Sequence, residues 1–159
     1  MKKILIGTHN KGKFKEISYL LSKKIKKVSP IKLKIKSPKE TAKTFMGNAK
    51  LKAKYFSTFT KIPVISDDSG LCITALNKKP GVYSARWAKR YGSFSNAMKF
   101  ILNKMKKKKN RSATFVCSLS FKYPNKGLQA IDDVSIEIQK NQIIGSSSFS
   151  SLFSVKFDL

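Results

Sequence analysis

Ile62-Pro63-Val64-Ile65-Ser66-Asp67-Asp68-Ser69-Gly70 is the stretch on which the reading of this chain turns. An apolar, β-branched run ends in two adjacent carboxylates and a turn-forming Ser-Gly pair. The run reads as a buried strand, with Asp67-Asp68-Ser69-Gly70 as the loop at its mouth. Two anions there are costly unless a metal ion or a cluster of lysines compensates them. The chain holds eight acidic residues against thirty-four basic ones, so the pair reads as a functional site rather than as surface decoration. Neighbouring side chains of an extended chain point to opposite faces. Unless the loop turns between them, one aspartate binds a metal and the other orients water or a lysine. Mg²⁺ suits this arrangement, since it keeps several waters and takes one or two carboxylates together with phosphate oxygens.

Before this stretch, residues 3–7 form an apolar first strand, and Thr8-His9-Asn10-Lys11-Gly12 is the loop after it. A helix starts near Lys13, with Phe14, Ile17, Leu20, Leu21 and Lys24 along one side. Amides at a helix N-terminus bind phosphate, Gly12 lets the backbone come close, and Lys13 adds a full charge. An ordinary strand-to-helix turn would read the same way, and the Walker A spacing is absent. His9, the only histidine, reads as a loop residue rather than a general base. Ile31, Leu33 and Ile35 alternate with lysines as a half-exposed strand, which Pro38 ends. A second helix covers 44–59, with Phe45, Ala49, Ala53 and Phe56 as its buried stripe. Asn48 and Lys52 share a neighbouring face, suited to a phosphate chain. Glu40, in the loop before this helix, either caps it or ligates a cation.

Beyond the carboxylates, residues 71–76 read as another strand, 78–81 as a turn, 95–105 as a helix and 113–123 as a long strand. A hairpin-type connection at 124–127 leads to a weakly alternating segment at 132–138 that pairs with that strand. There are no repeats and no internal linker, so 1–159 is read as a single α/β domain.

Forty-one per cent apolar residues, with eleven Phe and five Tyr, argue against general disorder. No apolar run is long enough to span a bilayer, and the N-terminus does not read as a secretory signal. Cys72 and Cys117 have neither metal-ligand nor redox spacing, so both are expected as free thiols in a reducing cytoplasm. The net charge of +26 attracts polyanionic substrates. Nearly all of it is lysine, with arginine only at Arg86, Arg90 and Arg111. Base-edge and bidentate phosphate recognition favours arginine, so a general lysine bias explains the charge better than dedicated nucleic-acid binding. A basic nucleic-acid-binding module stands as the competing reading.

Four blocks follow one another in order: Thr8-His9-Asn10-x-Gly12-Lys13, then Glu40-Thr41-x-x-Thr44-Phe45-x-x-Asn48-Ala49-x-x-Lys52-Ala53, then Asp67-Asp68-Ser69-Gly70-Leu71, then Pro80-Gly81-x-Tyr83-Ser84-Ala85-Arg86. Together they resemble the inosine-triphosphate pyrophosphatase family, over roughly residues 3–120. The resemblance implies an elongated mixed α/β sheet with flanking helices and a cleft between two lobes, usually in a homodimer. It implies Mg²⁺-dependent hydrolysis of the purine nucleoside triphosphates ITP, dITP and XTP to monophosphate and pyrophosphate. Thr8, Asn10 and Lys13, in a loop shared with His9, Lys11 and Gly12, would hold the phosphates with help from Lys52. Glu40 and Asp68 would bind Mg²⁺, and Asp68 would be the base for the attacking water. Asp67 and Asn48 would support that site, and Ser69 with Gly70 would line the substrate pocket.

Two departures accompany the resemblance. Gly47 stands where the family carries an acidic residue. The family's Gly-Phe-Gly-Tyr-Asp-Pro type segment and its Ser-His-Arg segment, which contact the purine, have no counterpart. Ser-Ser-Ser-Phe-Ser-Ser at 146–151 stands about where the first should begin, which is read as truncation or a shifted frame. An inactive, shortened family member is the further alternative.

Overall fold

A computed structural model describes residues 2–124 and the backbone of 134–143. Its strands are β1 (Lys3–Ile6), β2 (Lys26–Val28), β3 (Val64–Ile73), β4 (Lys79–Pro80), β5 (Ser112–Lys122) and β6 (Val134–Ile143). Its helices are α1 (Lys11–Leu20), α2 (Phe45–Phe59), α3 (Ser84–Arg90) and α4 (Phe94–Met105). The strands lie in the order β2-β1-β3-β5-β6, with β4 paired to β3. β1 is parallel to both β2 and β3, whereas β4 runs antiparallel to β3. This is a mixed α/β sheet with flanking helices, as expected. The connection at 124–127 lies outside the described residues after Pro124. So do 132–133 of the expected sixth strand and the serine-rich segment at 146–151.

β1 is flanked on one side by β2 and on the other by β3, and each connection crosses through a helix. Right-handed crossovers to opposite edges of one strand place their helices on opposite faces of the sheet. The carboxyl end of that strand is then a topological switch point, where ligands of open α/β sheets bind. The loop 8–12 leaves β1 at that end.

Local chemistry explains the element ends. Asn10 caps α1, its Oδ1 accepting from Gly12 N–H (2.8 Å) and Lys13 N–H (3.2 Å), so the helix begins at Lys11 rather than near Lys13. Thr44 caps α2 by accepting from Gly47 N–H (3.0 Å), and Ser93 caps α4 through Asn96 N–H (3.0 Å). In α2 the expected stripe of Phe45, Ala49, Ala53 and Phe56 is buried, and Asn48 and Lys52 are buried beside it.

Two expectations fail outright, and the strand expected at 71–76 ends at Ile73, where a 3-10 turn over Thr74–Leu76 follows. Residues 31–35 are not a strand: Leu33 and Ile35 both donate backbone N–H bonds to Pro30 O (3.1 and 3.0 Å), and Lys34 has φ 55°. Alternation there marks side chains on a tight turn, and the strand beside β1 is the shorter β2. The second failure concerns the carboxylates. Residues 64–73 form one continuous strand, not two strands around an Asp-Asp loop. Pairing sustains it, because its first part lies against β1 (Ile6↔Ile65) and its last part against β4 (Cys72↔Pro80).

The chain divides into two compact units. The first takes in residues up to Asp68 and the end of β5 from Ser118. Its core is Leu5, Phe56 and Val64, with Val28, Ile35, Tyr55 and Ile62 packed against them. Gly7 is the closest approach there. Its N–H donates to Ile65 O (2.7 Å), and a Cβ would collide with Ser66 Oγ and sit 2.7 Å from the Phe56 ring. The second unit, within Ser69–Cys117, packs Leu71, Ile73, Ile101, Met105 and Ala113 together, with Trp87, Met98 and Phe115 against them.

Candidate active site

β1 ends at Ile6, but β3 runs on past the register pair Ile6↔Ile65. Asp67 and Asp68 therefore project beyond the end of β1, at the level of the loop 8–12. They remain in regular strand, so their side chains leave opposite faces of the sheet. α1 answers Asp67: Lys13 Nζ lies 2.7 Å from its Oδ2. α2 answers Asp68: Asn48 Nδ2 donates to its Oδ2 (2.9 Å), and Lys52 Nζ lies 3.9 Å from its Oδ1. The opposite faces occupied by α1 and α2 thus give two adjacent carboxylates different partners.

Glu40 reaches the second group from the irregular segment before α2, with Lys52 Nζ 2.9 Å from its Oε1. It does not cap α2, a role Thr44 fills. Asn48 is wholly buried and uses both ends of its amide. Its Nδ2 holds Asp68, while its Oδ1 accepts from Ala42 N–H (3.0 Å). One side chain thereby ties the segment carrying Glu40 to the strand carrying Asp68. Gly47 adjoins this contact: a Cβ there would lie 2.8 Å from Ala42 Cβ.

Three members of these pairs are buried, whereas Lys13 and Glu40 are partly exposed. Asp67 and Asp68 are 2% and 6% exposed, and Lys52 is 6% exposed. Burial pushes the Asp68 carboxyl above the usual carboxylate range, although Lys52 and the Asn48 hydrogen bond pull it down. A carboxyl raised in this way holds a proton more tightly than an ordinary carboxylate. Asp67 Oδ1 is buried with no hydrogen-bond partner. Glu16, on α1, to which the sequence reading gave no role, lies beside these groups: burial raises its carboxyl, Lys13 lowers it and Asp67 raises it further. Composition already points to it. Glu16, Glu40, Asp67 and Asp68 are the only acidic residues between positions 2 and 124, and all four gather around two lysines.

The donor set fits Mg²⁺. Two carboxylates from separate segments converge on one small cationic centre, the Lys52 ammonium, and hard oxygen ligands in this number suit an ion that keeps several waters. Among the described residues no group of three or more His, Cys, Asp or Glu converges that could hold a metal ion by itself, so an ion at these two carboxylates would take its other oxygens from water and phosphate.

The remaining expected residues divide. Thr8 is buried, and its Oγ1 accepts from Asn10 N–H (3.2 Å), which shapes the loop. His9 Nε2 bonds to Ile35 O (3.0 Å) and is not with the carboxylates. Lys11 and Gly12 are exposed in the first turn of α1. Ser69 and Gly70 continue β3 in the second unit. In the fourth block, Ser84 Oγ accepts from Leu71 N–H (3.1 Å) and donates to Gly81 O (2.7 Å).

A family model described as the Ham1 family matches residues 4–149. The chain is 39% identical over 125 residues to a protein named dITP/XTP pyrophosphatase from Caulobacter vibrioides, covering 77% of this chain and 64% of that one. A protein of the same name from Rhodospirillum centenum is 37% identical over 133 residues, covering 81% and 66%. The chain thus spans just under two thirds of the length of these relatives. The Ham1 protein of Staphylococcus aureus superposes with a TM-score of 0.77 at 30% identity, covering 91% of this chain and 72% of that one. A HAM1 protein from Coxiella burnetii gives 0.78 at 28%, covering 90% and 73%.

Proposed function

The chain belongs to the Ham1 family, and from that premise we propose that it hydrolyses the purine nucleoside triphosphates dITP, ITP and XTP to monophosphate and pyrophosphate with Mg²⁺. The observation that carries the reading is the pairing of Lys13 with Asp67 and of Lys52 with Glu40 and Asp68 at the carboxyl end of β1. Relatives named for pyrophosphate release from dITP and XTP support the substrate class.

Each residue has a task in this reading. Lys13 and Lys52 take phosphate oxygens, while Thr8 and Asn10 hold the loop that presents Lys13. Glu40 and Asp68 hold Mg²⁺, which when bound neutralises charge on the phosphate oxygens. Asp68 accepts a proton from water as the water oxygen bonds to the α-phosphorus. The bond from that phosphorus to the bridging oxygen breaks, and its electron pair leaves with pyrophosphate. Asn48 keeps Asp68 Oδ2 occupied, which turns Oδ1 towards the reacting groups. Asp67 holds Lys13, and Ser69 with Gly70 lines the purine side. The same reading expects a homodimer acting in the cytoplasm on free nucleotides rather than on nucleic acid.

The test is pyrophosphate release from dITP, XTP, dATP and dGTP with Mg²⁺, with Asp68→Asn alongside. The expected result is release selective for dITP and XTP, reduced about 10²–10⁴-fold in the variant. Full activity in Asp68→Asn sinks the mechanism, and equal release from all four nucleotides sinks the assigned substrate class.

A further inference from the structure

Lys52 occupies an unusual position for a phosphate-binding lysine. Its Nζ lies 2.9 Å from Glu40 Oε1 and 3.9 Å from Asp68 Oδ1, the carboxylates assigned to Mg²⁺ in the proposed function, on which this inference rests. Only 8% of the Lys52 side chain is exposed, so the ammonium is held there rather than sampling solvent. An ammonium and a divalent cation compete for carboxylate lone pairs and repel each other at close range. A metal on Glu40 Oε1 or Asp68 Oδ1 would meet Lys52 as its rival.

We propose that Lys52 is a resident counter-ion that must leave before the metal can bind, and that the nucleotide's phosphate is the anion that draws it away. Without nucleotide, Lys52 neutralises Glu40 and Asp68 and keeps Mg²⁺ off them. With nucleotide, the ammonium passes to a phosphate oxygen and the carboxylates become available. Metal and phosphate chain therefore bind cooperatively through the movement of one cation. The device also keeps Asp68 from standing as an uncompensated buried charge before substrate arrives, a condition that is strongly destabilising.

The rival account makes Lys52 one positive charge among many, acting on the metal only through the general field. The two differ in size and in location of the effect, and both can be read without turnover. Mg²⁺ is titrated calorimetrically into nucleotide-free wild type, Lys52→Met, Lys13→Met and the double variant Lys52→Met/Glu40→Gln. Thermal melting with and without Mg²⁺ runs in parallel. Exchange predicts that Lys52→Met binds Mg²⁺ about tenfold or more tightly than wild type, because the competing cation is gone. It predicts a correspondingly larger Mg²⁺-induced rise in melting temperature. Lys13→Met, which removes a cation paired to Asp67, gains far less, and the double variant loses the gain.

Unchanged or weaker Mg²⁺ binding in Lys52→Met overturns the proposal, and so does a gain no greater than that of Lys13→Met or one that survives Glu40→Gln. If Lys52→Met does not fold, Lys52→Gln, which keeps a donor for Glu40 without the charge, enters the same titrations with the same signs expected. Pyrophosphate release by wild type, measured alongside, separates the two readings. Release with no gain in Lys52→Met sinks the exchange alone, whereas absence of release sinks the function and leaves the titration to judge the exchange.

Discussion

Asn48 is the residue whose chemistry is most constrained. It accepts from Ala42 N–H and donates to Asp68 Oδ2 with no exposure to solvent. A side chain of similar bulk without polar atoms would take a bond from the part-buried Ala42 N–H and from the charged Asp68 Oδ2. Asn48→Leu is therefore expected to cost about 2–4 kcal/mol, read from urea unfolding. A loss within a few tenths of a kcal/mol would mean that the amide does not bridge the two segments. Lys52 belongs to the same scale: a lysine one turn after an asparagine reads as a phosphate ligand, but its partners in the structure are carboxylates.

Among elements, the site depends on how closely β1, β3 and α2 meet. Gly7 marks that approach, because a Cβ would strike Ser66 Oγ and the Phe56 ring while the backbone N–H is already committed to Ile65 O. Gly7→Ala should destabilise the protein by about 1–3 kcal/mol through overpacking. Gly12→Ala serves as its control, since the nearest atom to its Cβ is Asn10 Oδ1 at 3.2 Å, on an exposed first turn. Equal chemical-denaturation midpoints for the two variants would refute the packing argument. The continuity of β3 matters as much. A loop at Asp67-Asp68 could have turned both carboxylates to one ligand, whereas a strand assigns one to α1 and the other to α2.

For the whole molecule, the excess of lysine and the gathering of acids have opposite consequences. A net charge of +26 draws in a polyanionic nucleotide and also repels itself. Raising ionic strength from about 0.01 M to about 1 M shortens the screening length from about 30 to about 3 Å. Under that change kcat/KM for dITP should fall several-fold while the melting temperature rises. Steady-state kinetics and thermal melts at matched salt check both signs. A kcat/KM indifferent to salt would show that the field does not steer substrate.

The first strand, α1, α2 with its buried stripe, α4, β5 and the four motif blocks were legible in the sequence. They rest on local periodicity and on short-range chemistry that a linear chain already contains. The misread elements were those governed by partners. Ile31, Leu33 and Ile35 alternate like a strand, yet the Leu33 and Ile35 N–H groups both turn back to Pro30 O. Asp67 to Gly70 has the composition of a loop, yet pairing with β1 and β4 on either side keeps it extended. Glu16 lies one turn after Lys13 on the same helix, but its nearness to Asp67 follows from α1 packing against the sheet. By itself the sequence determined which side chains are equipped for such chemistry, since charge, size and hydrogen-bonding capacity are properties of each side chain. Which lysine meets which carboxylate was decided only by the tertiary structure, because that depends on which face of β3 each helix covers.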